Sequence, residues 1–352
     1  MGKPVYIVVG NHYSLSGIQE IVYGLHTCLS RKFSVRVERA IQNNAINVII
    51  DEFVSAPEEF DLKRIKELHP QTKVIVVATE FVTPISVLGM GWRKTFNFFG
   101  DLSDWQNLLI RVLKPSAEPG PTYMHHRYVS FVHALKHCDL LLTVHTKILP
   151  TLASLADHFE SLVAPPIMIY PEIGSLSAVQ WDRLRDLPVG FTMTGRTTPY
   201  RRKMTRELLQ TFKSAGLSTP AFKYLPFENL PTSSPLNDIA AWYNSTSIEY
   251  LFNFNPPQHA KWPYSSPMRI LRAILLGQVP VVTKKYDDHL IESVARLWDG
   301  RTETAREFAS LGTGDRQGWL TNYVRSIEAY DQLAQGANKM FIDAMMALTD
   351  RD

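Results

Sequence analysis

The sequence predicts an α/β fold built from two doubly wound domains in tandem. In the first half of the chain, short runs rich in valine and isoleucine alternate with segments that have the apolar spacing of helices. These runs show no regular polar–apolar alternation, which indicates parallel strands covered by helices on both faces. The same succession of strand and helix patterns begins again at Val189, so one architecture occurs twice along the chain.

The patterns assign the elements in chain order. Strands are expected at residues 5–9, 34–38, 47–50, 73–78, 140–144 and 166–170, and helices at 17–29, 104–113, 128–137 and 149–159. In the second half, strands are expected at 189–193, 250–253 and 279–282, and helices at 203–215, 265–276 and from 302 onward. We therefore expect an N-terminal domain (1–170), a connection (171–188), a C-terminal domain (189–330) and a C-terminal helix (331–352) that packs back on the N-terminal domain.

The overall composition is that of an ordinary globular protein. Of the 352 residues, 45% are apolar and 20% are charged, which excludes wholesale disorder. Lys and Arg outnumber Asp and Glu by 37 to 34, a surplus that by itself says nothing about nucleic acid but permits a local basic patch for a phosphorylated ligand or a membrane surface. No nucleic-acid partner is expected. The two cysteines, Cys28 and Cys138, lie outside any metal-binding spacing and are expected to be buried, reduced thiols of a cytoplasmic protein. No apolar run is long enough to cross a bilayer.

The segment 265–283 has the pattern of an anion site. Ser265 and Ser266 open a helix, Gly277 ends it, and a Val-Pro-Val-Val strand follows. A helix opened in this way offers free backbone N–H groups and the positive end of the helix dipole to a phosphate group. Arg269, one turn into the helix, is placed to add a charge-assisted hydrogen bond. An ordinary capped helix is the equally simple alternative.

A second landmark lies at the start of the C-terminal domain. Gly195 and Arg196 follow the strand at 189–193, and the basic cluster Arg201-Arg202-Lys203 opens the next helix. Together with the segment 265–283, this order resembles the nucleotide-sugar-binding domain of GT-B glycosyltransferases. The resemblance implies two Rossmann-like domains that face each other across a cleft. It also implies that the donor diphosphate is held by Arg196, by Arg201 or Lys203, and by the helix start with Ser265, Ser266 and Arg269.

The chain departs from the pattern of retaining GT-B enzymes at two positions. Tyr264 and Arg272 stand where those enzymes carry paired glutamates. The second glutamate normally accepts the ribose hydroxyls of the nucleotide, and an arginine has no acceptor atom. The departure favours a divergent member of the superfamily and leaves inverting and retaining outcomes open.

The loops that follow the strands of the N-terminal domain supply candidates for a catalytic base. An inverting transfer needs a group that takes the proton of the acceptor hydroxyl. His12 follows the first strand, where several inverting GT-B families keep a catalytic histidine, and its pKa suits the task. Asp51, Glu52 and Glu80 follow later strands and are the competing candidates. For each of them, an ordinary role in a loop is the alternative.

Two further polar clusters are candidates for donor contacts or for metal ligands. The loop 255–263 precedes the helix of the anion site, and its His259 and Lys261 are expected to contact the donor sugar or phosphate. His133 and His137 share one helix face, but no carboxylate or cysteine completes a ligand set. We therefore expect no metal ion and no cofactor apart from the nucleotide-sugar substrate.

The predicted activity is metal-independent transfer of a sugar from a nucleotide diphosphate sugar to a hydroxyl of a glycan or lipid-linked saccharide. Two alternatives stay open: a nucleotide-sugar epimerase of the same fold, and a non-catalytic subunit that binds a partner. The expected location is cytoplasmic, with peripheral contact to the inner face of a membrane through the basic–aromatic segment 92–96.

Overall fold

The computed structural model of the chain describes residues 4–9, 19–50, 62–78, 134–135, 137–144, 167–170, 172, 181–195, 197–225, 248–258, 260, 267–285, 289–314 and 316–349. The chain forms two compact units. The first comprises Met1–His12, Leu29–Met168 and Ile342–Asp352, and the second comprises Tyr13–Cys28 and Ile169–Phe341. Each unit is built on one parallel sheet, which confirms the predicted α/β class.

The first unit has a six-stranded sheet with the order β2-β1-β3-β4-β5-β6. Every pair of neighbours in it is parallel. The strands are β1 (Val5–Val8), β2 (Val35–Glu38), β3 (Ile46–Ile50), β4 (Lys73–Ala78), β5 (Leu140–Thr143) and β6 (Ile167–Met168). All residues of the central β3 and β5 are buried, as expected for strands that are covered on both faces.

The second unit has a five-stranded sheet with the order β11-β10-β9-β7-β8, again with parallel neighbours. Its strands are β7 (Gly190–Thr194), β8 (Ala221–Leu225), β9 (Phe252–Asn255), β10 (Val279–Val282) and β11 (Arg296–Leu297). The first strand of this sheet, β7, therefore lies between strands that follow it along the chain. In such an order, β8 is added on one side of β7 and β9 to β11 are added on the other side, so the winding of the sheet reverses at β7.

The helices with defined bounds are α1 (Gln19–Leu29), α2 (Leu62–Leu68), α3 (Trp181–Asp186), α4 (Pro199–Ser214), α5 (Pro267–Leu275), α6 (His289–Val294), α7 (Thr302–Ser310) and α8 (Arg316–Thr349). Helix α2 lies in the first unit, and α3 to α7 lie in the second. Helix α1 belongs to the second unit as far as Cys28, and α8 as far as Phe341. In the described part of the chain, no helix combines the length and apolarity needed to cross a membrane.

The core of the second unit is aromatic on one face of the sheet. Phe191 of β7 stacks on Phe252 of β9 with a centroid separation of 5.3 Å. Phe212 of α4 stacks on Trp298 at 5.9 Å, and Phe308 of α7 lies 4.8 Å from Phe252. These large rings place α4 and α7 on one face of the sheet. Since side chains alternate along a strand, the residues between the phenylalanines point to the other face.

Helices α4 and α5 end in the same way. In α5, the Gly277 N–H donates to the Ile274 carbonyl at 2.8 Å and the Gln278 N–H donates to the Ala273 carbonyl at 2.9 Å. Gly277 has φ of 72°, so the end of α5 is a Schellman motif, as the sequence predicts for this glycine. In α4, Gly216 has the same φ, and its N–H donates to the Lys213 carbonyl. Both helices are therefore stopped by a residue in the left-handed region.

Replacing Gly216 by alanine is expected to destabilise the second unit by about 1–2 kcal/mol, because an L residue is strained at this φ. Added bulk contributes nothing, since a Cβ at Gly216 meets no heavy atom within 4 Å. Gly336→Ala is the matched control. It lies inside α8, also meets nothing within 4 Å, and should stabilise by up to about 1 kcal/mol. Thermal unfolding of both variants tests the pair, and equal shifts would contradict the account.

Several element boundaries differ from the expected ones for local reasons. The strand expected at 250–253 is β9, which begins at Phe252, because the Leu251 N–H donates to the Pro188 carbonyl before regular pairing starts. Helix α4 begins at Pro199 rather than at residue 203, since Thr198 caps it and proline is suited to the first helical turn. Helix α8 starts at Arg316, well before residue 331. The strands β8 and β11 were missed, and the helices expected at 104–113 and 149–159 lie outside the described residues.

Both cysteines are free thiols, as predicted. Cys28 is buried, whereas Cys138 is only half-buried. Burial, with the neighbouring Asp139 charge as the second cause, raises the pKa of Cys138 to about 12. The thiol of Cys138 is therefore protonated and unreactive at neutral pH.

Candidate functional site

The carboxyl ends of β7 and β9 form the crevice where the winding of the second sheet reverses. From β7, the chain passes through α4 to β8 on one side of the sheet order. From β9, it passes through α5 to β10 on the other side. The loops that leave β7 and β9 therefore diverge, and open α/β sheets bind their ligands at this switch point. This is the candidate functional site.

Two buried polar side chains lie at the switch point. Thr192 of β7 is paired with Asn253 of β9, so Thr194 and Asn255, two residues further on, lie side by side on the same face. The Asn255 amide nitrogen donates to the Asn253 carbonyl at 2.8 Å, which fixes the amide oxygen as an acceptor. In the described part of the chain, the Asn255 Oδ1 and Thr194 Oγ1 atoms have no hydrogen-bond partner.

Unsatisfied polar atoms in a buried place are unusual. Thr194 is 3% exposed and Asn255 is 1% exposed. Leaving such an atom without a partner costs about 1–3 kcal/mol, so the site gains free energy when a bound group supplies the missing hydrogen bonds. Because an amide oxygen accepts and a threonine hydroxyl both accepts and donates, this pair suits a hydroxyl or N–H group rather than a phosphate oxygen.

A buried hydrogen-bond network connects β7 and β9 next to the switch point. The Gln278 side-chain nitrogen donates to Thr192 Oγ1 at 3.0 Å and to the Tyr250 carbonyl at 2.7 Å. The Asn253 amide nitrogen donates to the Gln278 Oε1 atom at 2.7 Å. Gln278 thus joins β7, β9 and the turn after α5 on the face opposite to the aromatic core. Such a network fixes the relative positions of the two strand ends.

The loop after β9 is fastened to the start of α4. Thr198 caps α4 by accepting from the Arg201 N–H at 3.2 Å, and its hydroxyl donates to the Gln258 carbonyl at 2.7 Å. The Arg201 Nε donates to the Pro256 carbonyl at 3.3 Å, and the side chain is 1% exposed. Arg201, predicted as a diphosphate ligand, is therefore held in a structural position beneath this loop.

The other two predicted cations in the described residues differ in their surroundings. Lys203 lies on the outer face of α4 with its side chain 64% exposed, and its Nζ is 3.6 Å from a carboxylate oxygen of Glu207. Arg269 is the third residue of α5 and is mostly buried. An exposed ion pair of this kind contributes little stability, so Lys203 can exchange Glu207 for a ligand anion at little cost.

Arg272, where the sequence lacks an expected carboxylate, is engaged elsewhere. Its Nε and Nη2 donate to the two carboxylate oxygens of Glu20 at 2.6 and 3.0 Å. Both side chains are almost fully buried. The bidentate pair attaches α1 to α5 within the second unit, which explains why residues 13–28 group with this unit although the sequence places them in the N-terminal domain.

The remaining predicted site residues lie outside the described residues: His12, Asp51, Glu52, Glu80, Arg196, His259, Lys261, Ser265 and Ser266. The same holds for Tyr264 and for the segment 92–96. Among the residues that the structure does describe, no three His, Cys, Asp or Glu side chains are grouped so as to share a metal ion.

Sequence reasoning missed the polar residues of the switch point. Asn253 was expected to be an ordinary strand residue, Thr194 lay just after the expected strand 189–193, Asn255 opened the expected loop 255–263, and Gln278 was part of a turn. A usable signal is present in β9, where asparagine alternates with phenylalanine. Asparagine is disfavoured in strands, so its repeated presence on one face marks a polar network or a ligand contact.

Comparison with known proteins shows that the fold of this chain is similar to the folds of several solved structures. No protein-family model and no curated protein matches the chain. An α-glucosyltransferase in complex with UDP and a 13-mer DNA containing a HMU base matches with a TM-score of 0.53 and 10% identity, over 99% of this chain and 100% of that chain. WaaG, a glycosyltransferase involved in lipopolysaccharide biosynthesis, matches with a TM-score of 0.44 and 10% identity, over 97% and 99%. A ugt transferase from Siraitia grosvenorii in complex with UDP gives 0.40 and 10%, over 99% and 100%.

Proposed function

We propose, from the premise that this chain has the GT-B fold, that it is a glycosyltransferase using a nucleotide diphosphate sugar as donor and a hydroxyl of a glycan or lipid-linked saccharide as acceptor. The observation that carries the proposal is the pair of unsatisfied polar atoms, Thr194 Oγ1 and Asn255 Oδ1, at the switch point of the second sheet. Ligands of doubly wound domains bind at this place, and sugars and nucleosides carry the hydroxyl and N–H groups that the pair lacks.

Cations of the second unit neutralise the donor diphosphate in this proposal. Lys203 has a solvent-accessible charge, whereas Arg201 is buried under the Pro256 carbonyl, so we assign the diphosphate contact to Lys203. Arg269 lies in the first turn of α5, where the helix dipole also favours an anion. On the basis of the sequence pattern, we propose five further donor contacts: Arg196, His259, Lys261 and the hydroxyls of Ser265 and Ser266.

The chemical step needs no metal in this scheme. The acceptor oxygen attacks the anomeric carbon, and the bond from that carbon to the diphosphate breaks, with the electron pair leaving on the diphosphate. The protein cations and the helix start stabilise the developing negative charge. In an inverting reaction, His12 or one of Asp51 and Glu52 takes the proton of the acceptor hydroxyl.

A conservative change at Thr194 separates a binding role from a structural one. Thr194→Val removes a hydroxyl that has no hydrogen-bond partner among the described residues, so the free protein should keep or gain stability. Thr192→Val is the control, because its hydroxyl accepts from Gln278, and we expect a loss of about 1 kcal/mol. In thermal unfolding with a nucleotide sugar, Thr194→Val should lose much of the ligand-induced shift and Thr192→Val should keep it. The reverse order would contradict the assignment of Thr194.

Product analysis tests the activity itself. Purified protein is incubated with labelled UDP-, GDP-, ADP- and dTDP-sugars, each with and without an acceptor series of glycans, lipid-linked saccharides and DNA containing a HMU base. Release of nucleotide with label on a glycan or lipid-linked acceptor supports the proposal. Label on DNA would show that the acceptor is DNA and not a glycan or lipid-linked saccharide. Conversion of the donor alone would instead favour the epimerase. Absence of both conversion and nucleotide binding would favour a non-catalytic subunit.

A further inference from the structure

An open groove of about 990 Å³ runs along the outer side of α4. We call it the α4 groove, and four polar residues of the helix, Lys203, Arg206, Gln210 and Lys213, line it. Its lining also includes the acidic Glu207 and Asp299, the threonines at 211, 219 and 283, and the apolar Met204, Leu209 and Trp298. The four residues on the helix are spaced by three, four and three positions, so they lie on one face. The opposite wall is formed by the segment 298–300 after β11. The groove lies wholly within the second unit.

Helix α4 carries a local surplus of exposed positive charge. Its exposed charged residues are four cations and one anion: Arg202, Lys203, Arg206, Lys213 and Glu207. This surplus of three equals the net charge of the whole chain, which is +3. The even balance of charge over the whole sequence therefore conceals a strongly basic helix. Local concentration of this kind, and not the total, attracts polyanions.

The acidic groups at the groove are already engaged. Glu207 lies beside Lys203, with 3.6 Å between the nitrogen and the carboxylate oxygen. Asp299 accepts from Thr304 at 2.6 Å, and its carboxylate is 2.9 Å from the Arg301 guanidinium. Among the described residues, Arg206 and Lys213 have no ion-pair partner. They are the charges that a ligand would neutralise.

We infer that the α4 groove binds the phosphodiester backbone of a nucleic acid. The distance from Lys203 to Lys213 is about 15 Å along the helix, at 1.5 Å per residue, which spans about four phosphates at 3.4 Å each. Lysine, arginine, threonine and glutamine are among the side chains that contact phosphates in protein–nucleic acid complexes, and all four residue types occur in the lining of the groove.

The groove offers backbone contacts and no base stacking. Trp298 is the aromatic residue of its lining, and it is 2% exposed because it is stacked between Phe212 and Phe308. Binding should therefore depend strongly on salt and little on base sequence. Nucleic-acid binding at this groove departs from the expectation that the protein has no nucleic-acid partner. The groove shares Lys203 with the proposed donor site, and its binding of nucleic acid requires no sugar transfer.

The test compares two double variants by fluorescence anisotropy with a labelled 20-mer, both single-stranded and duplex. Arg206→Ala with Lys213→Ala removes the two uncompensated charges of the groove. Arg325→Ala with Lys339→Ala removes two exposed charges from α8 and is the control. At 50 mM salt, the groove variant should bind at least tenfold more weakly and the control within twofold of wild type. The slope of log affinity against log salt should fall by about 1.4–1.8 for the two lost phosphate contacts.

Two results would overturn the inference: no measurable binding of either DNA by the wild-type chain, or equal weakening in both double variants. Competition identifies the class of polyanion. Polygalacturonate, an acidic glycan without phosphate, and anionic phospholipid vesicles should displace DNA poorly at equal charge concentration. Displacement as effective as that by unlabelled DNA would show a general anion surface and would also overturn it. Because all four replaced residues are exposed, both variants should keep the wild-type thermal midpoint, and nucleotide binding should be unchanged.

Discussion

Replacing Glu20 by alanine is expected to lower the stability of the second unit by about 3–5 kcal/mol. The substitution leaves the Arg272 guanidinium in a place where only 2% of its surface is exposed, without the carboxylate that it contacts at 2.6 and 3.0 Å. Removing one partner of a buried ion pair costs far more than the pair itself contributes, because the remaining charge has lost both water and its counter-ion.

The loss should be concentrated in α1 and α5, which the pair joins. Hydrogen exchange of the α5 amides, residues 268–275, measures the free energy of local opening there. Glu207→Ala is the matched control, because it removes one carboxylate from an exposed pair with Lys203, and we expect a change of at most about 0.5 kcal/mol. Comparable exchange rates in the two variants would contradict the structural role of the Glu20–Arg272 pair.

A compensating double variant separates buried charge from lost packing. Glu20→Leu combined with Arg272→Met removes both charges and keeps apolar volume in the site. Replacement of a buried pair by apolar residues is often neutral or stabilising, so the double variant should recover most of the loss seen in Glu20→Ala. If the double variant is as unstable as Glu20→Ala, the shape of the two side chains matters more than their charge.

Replacing Arg269 by alanine is expected to weaken binding of the preferred nucleoside diphosphate about ten- to a hundredfold. Hydrogen bonds to charged groups contribute about 1.5–3 kcal/mol, and each 1.4 kcal/mol is a factor of ten. Arg269 lies in the first turn of α5, so its charge and the helix dipole act on the same anion. Titration calorimetry with the wild-type chain and the variant gives the ratio of dissociation constants.

Two comparisons distinguish a ligand contact from a folding defect at Arg269. Arg325→Ala removes an exposed arginine from α8 and should leave nucleotide affinity unchanged. Arg269→Lys keeps the charge and should bind the diphosphate better than Arg269→Ala, although less well than wild type, since lysine lacks the planar fork of arginine. Unchanged affinity in Arg269→Ala, with a normal thermal midpoint, would remove Arg269 from the proposed donor site.

Much of the second sheet was predictable because local patterns determine it. Gly277 was predicted to end its helix, and the Schellman motif confirms that reading. The phenylalanines at 252 and 254 are both fully buried, as large apolar side chains of a strand usually are. In each case the deciding physics, a left-handed turn or an apolar ring, acts within a few residues of the chain. Both features can therefore be predicted from the local sequence.

The contacts that define the site could not be predicted in the same way. Glu20 and Arg272 are separated by 252 positions, and nothing near either residue indicates the other. Gln278 joins Thr192 to Asn253 across two strands, which requires the strand order to be known. The position of Arg201 beneath the Pro256 carbonyl likewise depends on where the loop after β9 passes over α4. Each partner is fixed by tertiary structure.

The concentration of charge on α4 was visible in the sequence, yet its meaning was not. The resemblance made Arg201 and Lys203, of the cluster Arg201-Arg202-Lys203, alternative ligands of one diphosphate. Helical geometry divides them: Arg201 points inward, and Lys203 lies on the exposed face with Arg206 and Lys213. Within this one cluster, Arg201 therefore holds the loop after β9, and Lys203 is part of a basic surface.

The most direct test of the proposed donor site is a thermal-shift and calorimetric titration of the wild-type chain with UDP, GDP, ADP, dTDP and CMP. A ligand that binds only the folded state raises the unfolding midpoint in proportion to its occupancy. We predict that one nucleoside diphosphate stabilises the protein and binds at least tenfold more tightly than the others. No shift and no heat of binding with any of the five, at millimolar concentration, would contradict the assignment of this chain as a nucleotide-sugar-dependent glycosyltransferase.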